Sequence, residues 1–239
     1  MATTSSPNPK PSSAISRPEI VHLPRLTTGR RILRRLIAFI SRVFTWLFAD
    51  VQIAGRENIP PSGPFLVVAN HLGDADAIIG ISLSPIPVEI VAKIELHEIP
   101  IFGALLDAYG VIWIHRGQPD RRAIRSVIQA LAEGRVVALA PEGRESVTGA
   151  LEAGTEGAAY LALKADALIL PITFTGSRNR QVYGNMKRLR RSHITVTIGP
   201  VFKLDQGSDW RSSLANGTQT IMRNLAKQLP IEYQGVYHL

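Results

Sequence analysis

The sequence has no cysteine. Disulfides, thiolate metal sites and a cysteine nucleophile are therefore excluded. Aromatic residues are sparse, at 6%. No long uninterrupted apolar run exists. The longest nearly apolar stretch, Leu36 to Phe48, is broken by Arg42, and a spanning helix needs roughly 20 apolar residues. No apolar segment directly follows Met1, so a secretory signal is not expected. No repeat of solenoid length occurs. The histidines lack metal-ligand spacing and there is no nucleotide-binding loop, so neither a metal nor a resident cofactor is expected.

Acidic residues are the minority charge, 19 against 27 basic ones, for a net charge of +8. A basic chain seeks an anionic partner: nucleic acid, an anionic lipid surface or a phosphorylated substrate. Arg178, Arg180, Lys187, Arg188, Arg190 and Arg191 cluster between two expected strands. A basic nucleic-acid-binding protein is the competing functional class. However, no helix-turn-helix, zinc finger or aromatic RNA-reading motif is present, and a loop facing anionic lipid accounts for the cluster equally well. Nucleic acid is not expected as a partner.

Hydrophobic residues make up 45% of the 239, enough for one domain with a real core. Residues 1–28 are rich in Ser, Thr and Pro without an apolar pattern, and are expected to be a flexible tail. Residues 29–49 carry Arg31, Arg34, Arg35, Ala38, Ser41, Arg42 and Thr45 at three- and four-residue steps, with apolar residues filling the rest. This spacing predicts an amphipathic, membrane-associating helix. Its apolar face is expected in the acyl boundary, with Arg31, Arg34, Arg35 and Arg42 toward anionic headgroups. An ordinary helix packed on its own domain is the alternative.

Residues 50–239 alternate between short apolar runs and helical patterns. Strands are predicted at 51–54, 65–69, 88–92, 111–114, 136–140, 168–175 and 194–198. Helices are predicted at 76–83, 102–106, 121–133, 154–164 and 210–228. The expected fold class is α/β: a mixed, largely parallel sheet flanked by helices, with an N-terminal amphipathic membrane-surface helix. Active sites of such sheets gather at the C-terminal ends of strands.

Three motifs follow apolar strands. In Asn70-His71-Leu-Gly-Asp74-Ala-Asp76, the histidine leaves a strand and Asp76 lies one turn into the next helix. A carboxylate there can hold one imidazole nitrogen while the other takes a proton from an alcohol. Asp74 is a rival partner that spacing does not eliminate, and a lone histidine is commonly a structural hydrogen-bonder. Gly110 to Gly117 delivers Arg116 at a strand end, where a guanidinium suits bidentate phosphate binding. Pro141-Glu142-Gly143-Arg144 ends a strand in a tight turn whose N–H groups can approach an anion. Either motif alone also fits an ordinary strand-to-loop turn.

Asn70-His71-x4-Asp76, Gly110…Arg116, Pro141-Glu142-Gly143-Arg144 and Leu170-Pro171-Ile172 together resemble the ordered motifs of the glycerolipid acyltransferase family. That family includes the 1-acylglycerol-3-phosphate acyltransferases. The segments Lys93 to Gly103 and Leu229 to Tyr237 also resemble it, so the likeness covers roughly residues 45–237. The resemblance implies His71 as general base and Asp76 as its orienter. Arg116 and Arg144, with Lys93, would hold the acceptor phosphate, Glu142 and Gly143 would shape that pocket, and Pro171 would belong to the acyl pocket. The implied reaction moves a fatty acyl group from acyl-CoA or acyl-carrier protein to a lysophosphatidate-like acceptor in phospholipid biosynthesis. Glycerol 3-phosphate or another lysophospholipid is the alternative acceptor. The implied location is the cytoplasmic face of a membrane, peripheral or monotopic.

The sequence also departs from the family's pattern. Arg144 directly follows Gly143 and Glu145 takes the usual arginine place. Gly73-Asp74 stands where a serine is frequent, and Leu151-Glu152-Ala153-Gly154 is acidic where many members carry lysine.

Overall fold

Phe65-Leu-Val-Val-Ala69 forms strand β2, and its first four side chains are buried. Successive side chains of a strand point to opposite faces. A strand buried on both faces must lie inside a sheet with helices on each side. The computed structural model, which describes residues 17–117 and 119–238, places β2 in that position. The sheet also contains β1 (Ala49–Ala54), β3 (Val88–Lys93), β4 (Ile112–Ile114), β5 (Val136–Leu139), β6 (Leu168–Thr175) and β7 (Ser192–Ile198). Its order is β1-β7-β6-β2-β5-β3-β4. Every neighbouring pair is parallel except β6 and β7. The mixed, largely parallel sheet expected from the alternating pattern is therefore present.

The helices are α1 (Thr28–Phe48), α2 (Asp74–Leu83), α3 (Phe102–Tyr109), α4 (Arg121–Ala132), α5 (Glu156–Ala165), α6 (Asn179–Lys187), α7 (Trp210–Ala226) and α8 (Ile231–Gln234). Leu66 and Val68 of β2 face one core, packed with Ala130 of α4, Ala162 of α5 and Leu225 of α7. Phe65 and Val67 face a second core, with Ile79 of α2 and Val182 of α6. Full burial of such a side chain contributes about 1.5–3 kcal/mol, so both faces of β2 hold the layers together.

Three expectations need correction. The first concerns the segment 178–191, which is not a bare loop: Asn179–Lys187 is helix α6. Its apolar side is only Val182 and Met186, too narrow to register among the neighbouring arginines. The second concerns the tail. Residues 1–16 lie outside the described residues, but 17–27 are packed. Val21 is buried, and Arg122 and Arg135 donate to the carbonyls of Pro18 and Pro24.

The third correction concerns Arg34 and Arg42 of α1, expected at lipid headgroups. Arg34 is only 5% exposed. Its guanidinium makes two bonds to Glu89, at 2.9 and 2.7 Å, and donates to the carbonyls of Tyr109 and Gly110. Arg42 donates to Ser82 O at 3.0 Å, and Ser41 is buried. The edge of the polar stripe that carries Arg34 and Ser41 therefore meets the domain, and Arg34 and Arg42 are spent on the protein's own groups. Arg31 and Arg35 remain exposed. The apolar face points away from the domain, with Phe39 61% and Trp46 70% exposed. A buried carboxylate on β3 needs a cation, and Arg34 supplies one from the inward side of α1. Among the described residues, no helix is long and apolar enough to cross a membrane.

Candidate active site

The chain leaving β2 is pinned first by Asn70. Its side chain is buried and bonds both the N–H and the carbonyl of Phe174 on β6, at 2.7 and 2.9 Å. His71 follows. Its backbone N–H donates to Glu142 Oε1 at 3.4 Å, and its carbonyl accepts from Ser146 N at 2.7 Å. The first and third sequence motifs are thus joined through the backbone of one residue.

His71 Nδ1 lies 3.0 Å from Asp76 Oδ2. A carboxylate only accepts, so Nδ1 carries the proton and Nε2 is left as the acceptor. The same Oδ2 accepts from the N–H groups of Leu72 at 2.6 Å and Gly73 at 3.0 Å. Asp76 therefore satisfies donors at the start of α2 while it orients the imidazole. The rival, Asp74, is engaged elsewhere: its carboxylate accepts from Tyr183 OH at 2.6 Å, and its N–H donates to Asn179 Oδ1. Gly73 is required by close approach, because a Cβ there would meet Asn179 Oδ1 at 2.6 Å and Ser177 O at 2.7 Å.

Burial disfavours the charged form of His71. The hydrogen bond and charge of Asp76, aided by the charge of Glu145, outweigh it and hold the His71 pKa above its ordinary value. Arg116 opposes them. Burial also pushes Glu142 up to about 7, against the hydrogen bonds it accepts from Glu152 and His71. Glu145 is raised as well, by desolvation and by repulsion from Asp74 and Asp76, with His71 and Lys93 countering.

The imidazole borders a cavity of about 320 Å³ that runs into the second core, within the range of small-molecule sites. Its walls are apolar, including Phe65, Val67, Leu170 and Val196. His71, Asp76, Arg116 and Gly143 also line it. Gly143 has φ of 73°, which lets the chain turn sharply there. The other expected residues sit differently. Glu142 is buried behind His71 and bonds Glu152 N at 2.8 Å. Lys93 ends β3 and feels the charge of Glu145. Arg144 faces outward, 62% exposed, and pairs with Glu152 at 2.6 Å. No group of acidic or histidine side chains suited to a metal ion occurs among the described residues.

Glu145, Asn179 and Tyr183 were not singled out as site residues from sequence. Asn179 bonds Glu145 on one side and Asp74 on the other. It lies 105 positions from Asp74, on a helix whose apolar pattern is faint, so no local signal marks it. Glu145 was visible only as a departure from the usual arginine.

Residues 50–175 match the family model described as Acyltransferase. The 1-acyl-sn-glycerol-3-phosphate acyltransferase of Borreliella burgdorferi is 31% identical over 146 residues, covering 58% of this chain and 56% of that protein. A 1-acyl-sn-glycerol-3-phosphate acyltransferase of Chlamydomonas reinhardtii is 30% identical over 193 residues, covering 79% and 55%. The chain spans about half the length of these curated relatives. The crystal structure of the 1-acyl-sn-glycerophosphate (LPA) acyltransferase PlsC from Thermotoga maritima superposes with a TM-score of 0.63 and 25% identity, covering 83% of this chain and 80% of that one. The matched segment takes in the sheet from β1 to β6, the His71–Asp76 pair and the Glu142 turn, and by that match the chain belongs to the acyltransferase family.

Proposed function

We propose that this chain transfers a fatty acyl group from acyl-CoA or acyl-carrier protein to the free hydroxyl of a lysophosphatidate-like acceptor, in phospholipid biosynthesis. The observation that carries this reading is the Asp76-oriented His71 at the rim of an apolar cavity that Arg116 also lines. Nε2 takes the proton of the acceptor hydroxyl as its oxygen attacks the thioester carbonyl. The tetrahedral intermediate then expels the thiolate, which recovers that proton from the imidazolium. No nucleophilic side chain is needed, because the acceptor supplies the oxygen. The apolar walls suit a hydrocarbon chain, and Arg116 suits a phosphate.

Acyl transfer to a lysophosphatidate panel, read by thiol release and product mass spectrometry, tests the reading. His71→Ala should lower transfer by about 10²–10⁴-fold with an unchanged circular dichroism spectrum. Full turnover in the folded variant removes His71 from the chemistry. A second acceptor class, another lysophospholipid, is favoured by one observation: Glu145 lies near His71 while Arg144 is held by Glu152. The same panel separates the two.

The outward apolar face of α1 supports a seat on a membrane surface, peripheral or monotopic, on the cytoplasmic side. Both acceptor and product are lipids, so a site beside the bilayer shortens their path.

A further inference from the structure

The turn from the end of α6 into β7 is strongly basic. It reads Lys187-Arg-Leu-Arg-Arg191, and every one of these side chains is exposed. Lys187, Arg188 and Arg190 have no acidic partner among the described residues. Leu189 sits at its tip, 89% exposed and at φ of 52°. The turn is closed by Leu189 N–H to Met186 O and Arg190 N–H to Asn185 O. Glycine is the ordinary occupant of such a left-handed position after a helix. A leucine there is strained, and its 89% exposure leaves little burial to offset that strain.

The loop's position is not arbitrary. Arg191 donates from Nε to Ala49 O at 3.0 Å, and Ala49 pairs with Ser192 across β1 and β7. Ala49 caps the C-terminus of α1, a few residues beyond exposed Trp46 and Leu47. The basic loop therefore abuts the end of the exposed apolar face.

We propose that Lys187, Arg188 and Arg190 form an anionic-headgroup site, with Leu189 entering the acyl boundary, as an extension of the α1 face. This rests on the membrane seat proposed above. The occupant is an anionic bilayer, chosen on charge complementarity and on continuity with that apolar face. The apolar α1 side chains supply contact indifferent to lipid charge, and the loop adds to the preference for anionic lipid that exposed Arg31 and Arg35 begin.

Vesicle flotation of the full chain tests this, using phosphatidylcholine vesicles with and without phosphatidylglycerol. Replacing Lys187, Arg188 and Arg190 together by glutamine should weaken binding to anionic vesicles on the order of a hundredfold. It should flatten the salt dependence and leave binding to neutral vesicles unchanged. Leu189→Gly should raise the melting temperature, by relieving the strain, and yet weaken vesicle binding. A merely structural leucine would not move these two readouts in opposite directions. Unchanged affinity of the triple variant for anionic vesicles overturns the loop site. The membrane seat survives that result if a Leu36→Asp, Phe39→Asp, Trp46→Asp variant no longer floats. A wild-type chain that floats with neither vesicle overturns both proposals. If the triple variant loses binding to duplex DNA but not to vesicles, the loop is a nucleic-acid site and the proposal fails.

Discussion

Three hydrogen bonds converge on Asp76 Oδ2, from the imidazole and from two backbone N–H groups at the head of α2. Orientation of His71 and closure of the helix start are therefore one arrangement. The pH dependence follows with a definite sign. A general base must be neutral, and Asp76 helps hold the His71 pKa above the ordinary imidazole value. The acid limb of kcat/KM should rise with pH through a midpoint above that value. Asp76→Asn should lower the plateau and move the midpoint to lower pH, because the charge supporting the imidazolium is gone. A lowered plateau with an unmoved midpoint would make Asp76 purely structural. The arginines separate in the same manner. Arg116 lines the cavity, whereas Arg144 is turned outward onto Glu152. Arg116→Ala should cost on the order of 1.5–3 kcal/mol in kcat/KM for phosphate-bearing acceptors, and Arg144→Ala much less. Kinetics on an acceptor and its dephosphorylated analogue check this, and equal losses from the two variants would contradict it.

Helix α1 shows where a sequence pattern stops short. Its three- and four-residue polar steps predict an amphipathic helix, and residues Thr28–Phe48 are helical. The pattern is silent on which stripe meets the domain, because a polar stripe can face water or a buried acid. Here Arg34 meets the buried acid Glu89, 55 positions away. Arg34→Ala leaves that carboxylate buried beside Arg135 alone, at 3.4 Å. Breaking a buried pair in this way costs about 3–5 kcal/mol, and urea unfolding should read a loss of that size. A cost under about 1 kcal/mol would mean that α1 is held by other contacts. Most strands were legible because β2 and β5 are continuous apolar runs and β6 opens on one. The reversed direction of β7 was not, since an alternating strand reads the same in either direction. Helix α6 was hidden because Val182 and Met186 are its entire apolar stripe. The His71–Asp76 pairing was legible as one of two choices, and the 3.0 Å contact of His71 with Asp76 decides between them, with Asp74 taken up by Tyr183.

At the scale of the whole molecule, apolar α1 side chains, the basic loop and the cavity are arranged around one seven-stranded sheet. If α1 is the seat, replacing Leu36, Phe39 and Trp46 with aspartate should abolish vesicle flotation and change the melting temperature little, since each of these side chains is more than half exposed. Loss of fold in that variant would show that the face is covered within the protein. The motifs lie far apart in sequence yet meet at strand ends, which sheet order arranges and local spacing does not reveal. The Arg34–Glu89 bond gives this assembly a further property. A helix joined by a supple linker would act as a leash, letting the domain roam above the lipid. A helix bolted to β3 acts instead as a keel. The angle between the bilayer plane and the cavity mouth would then be built into the fold, and a lipid could reach His71 only along one fixed approach.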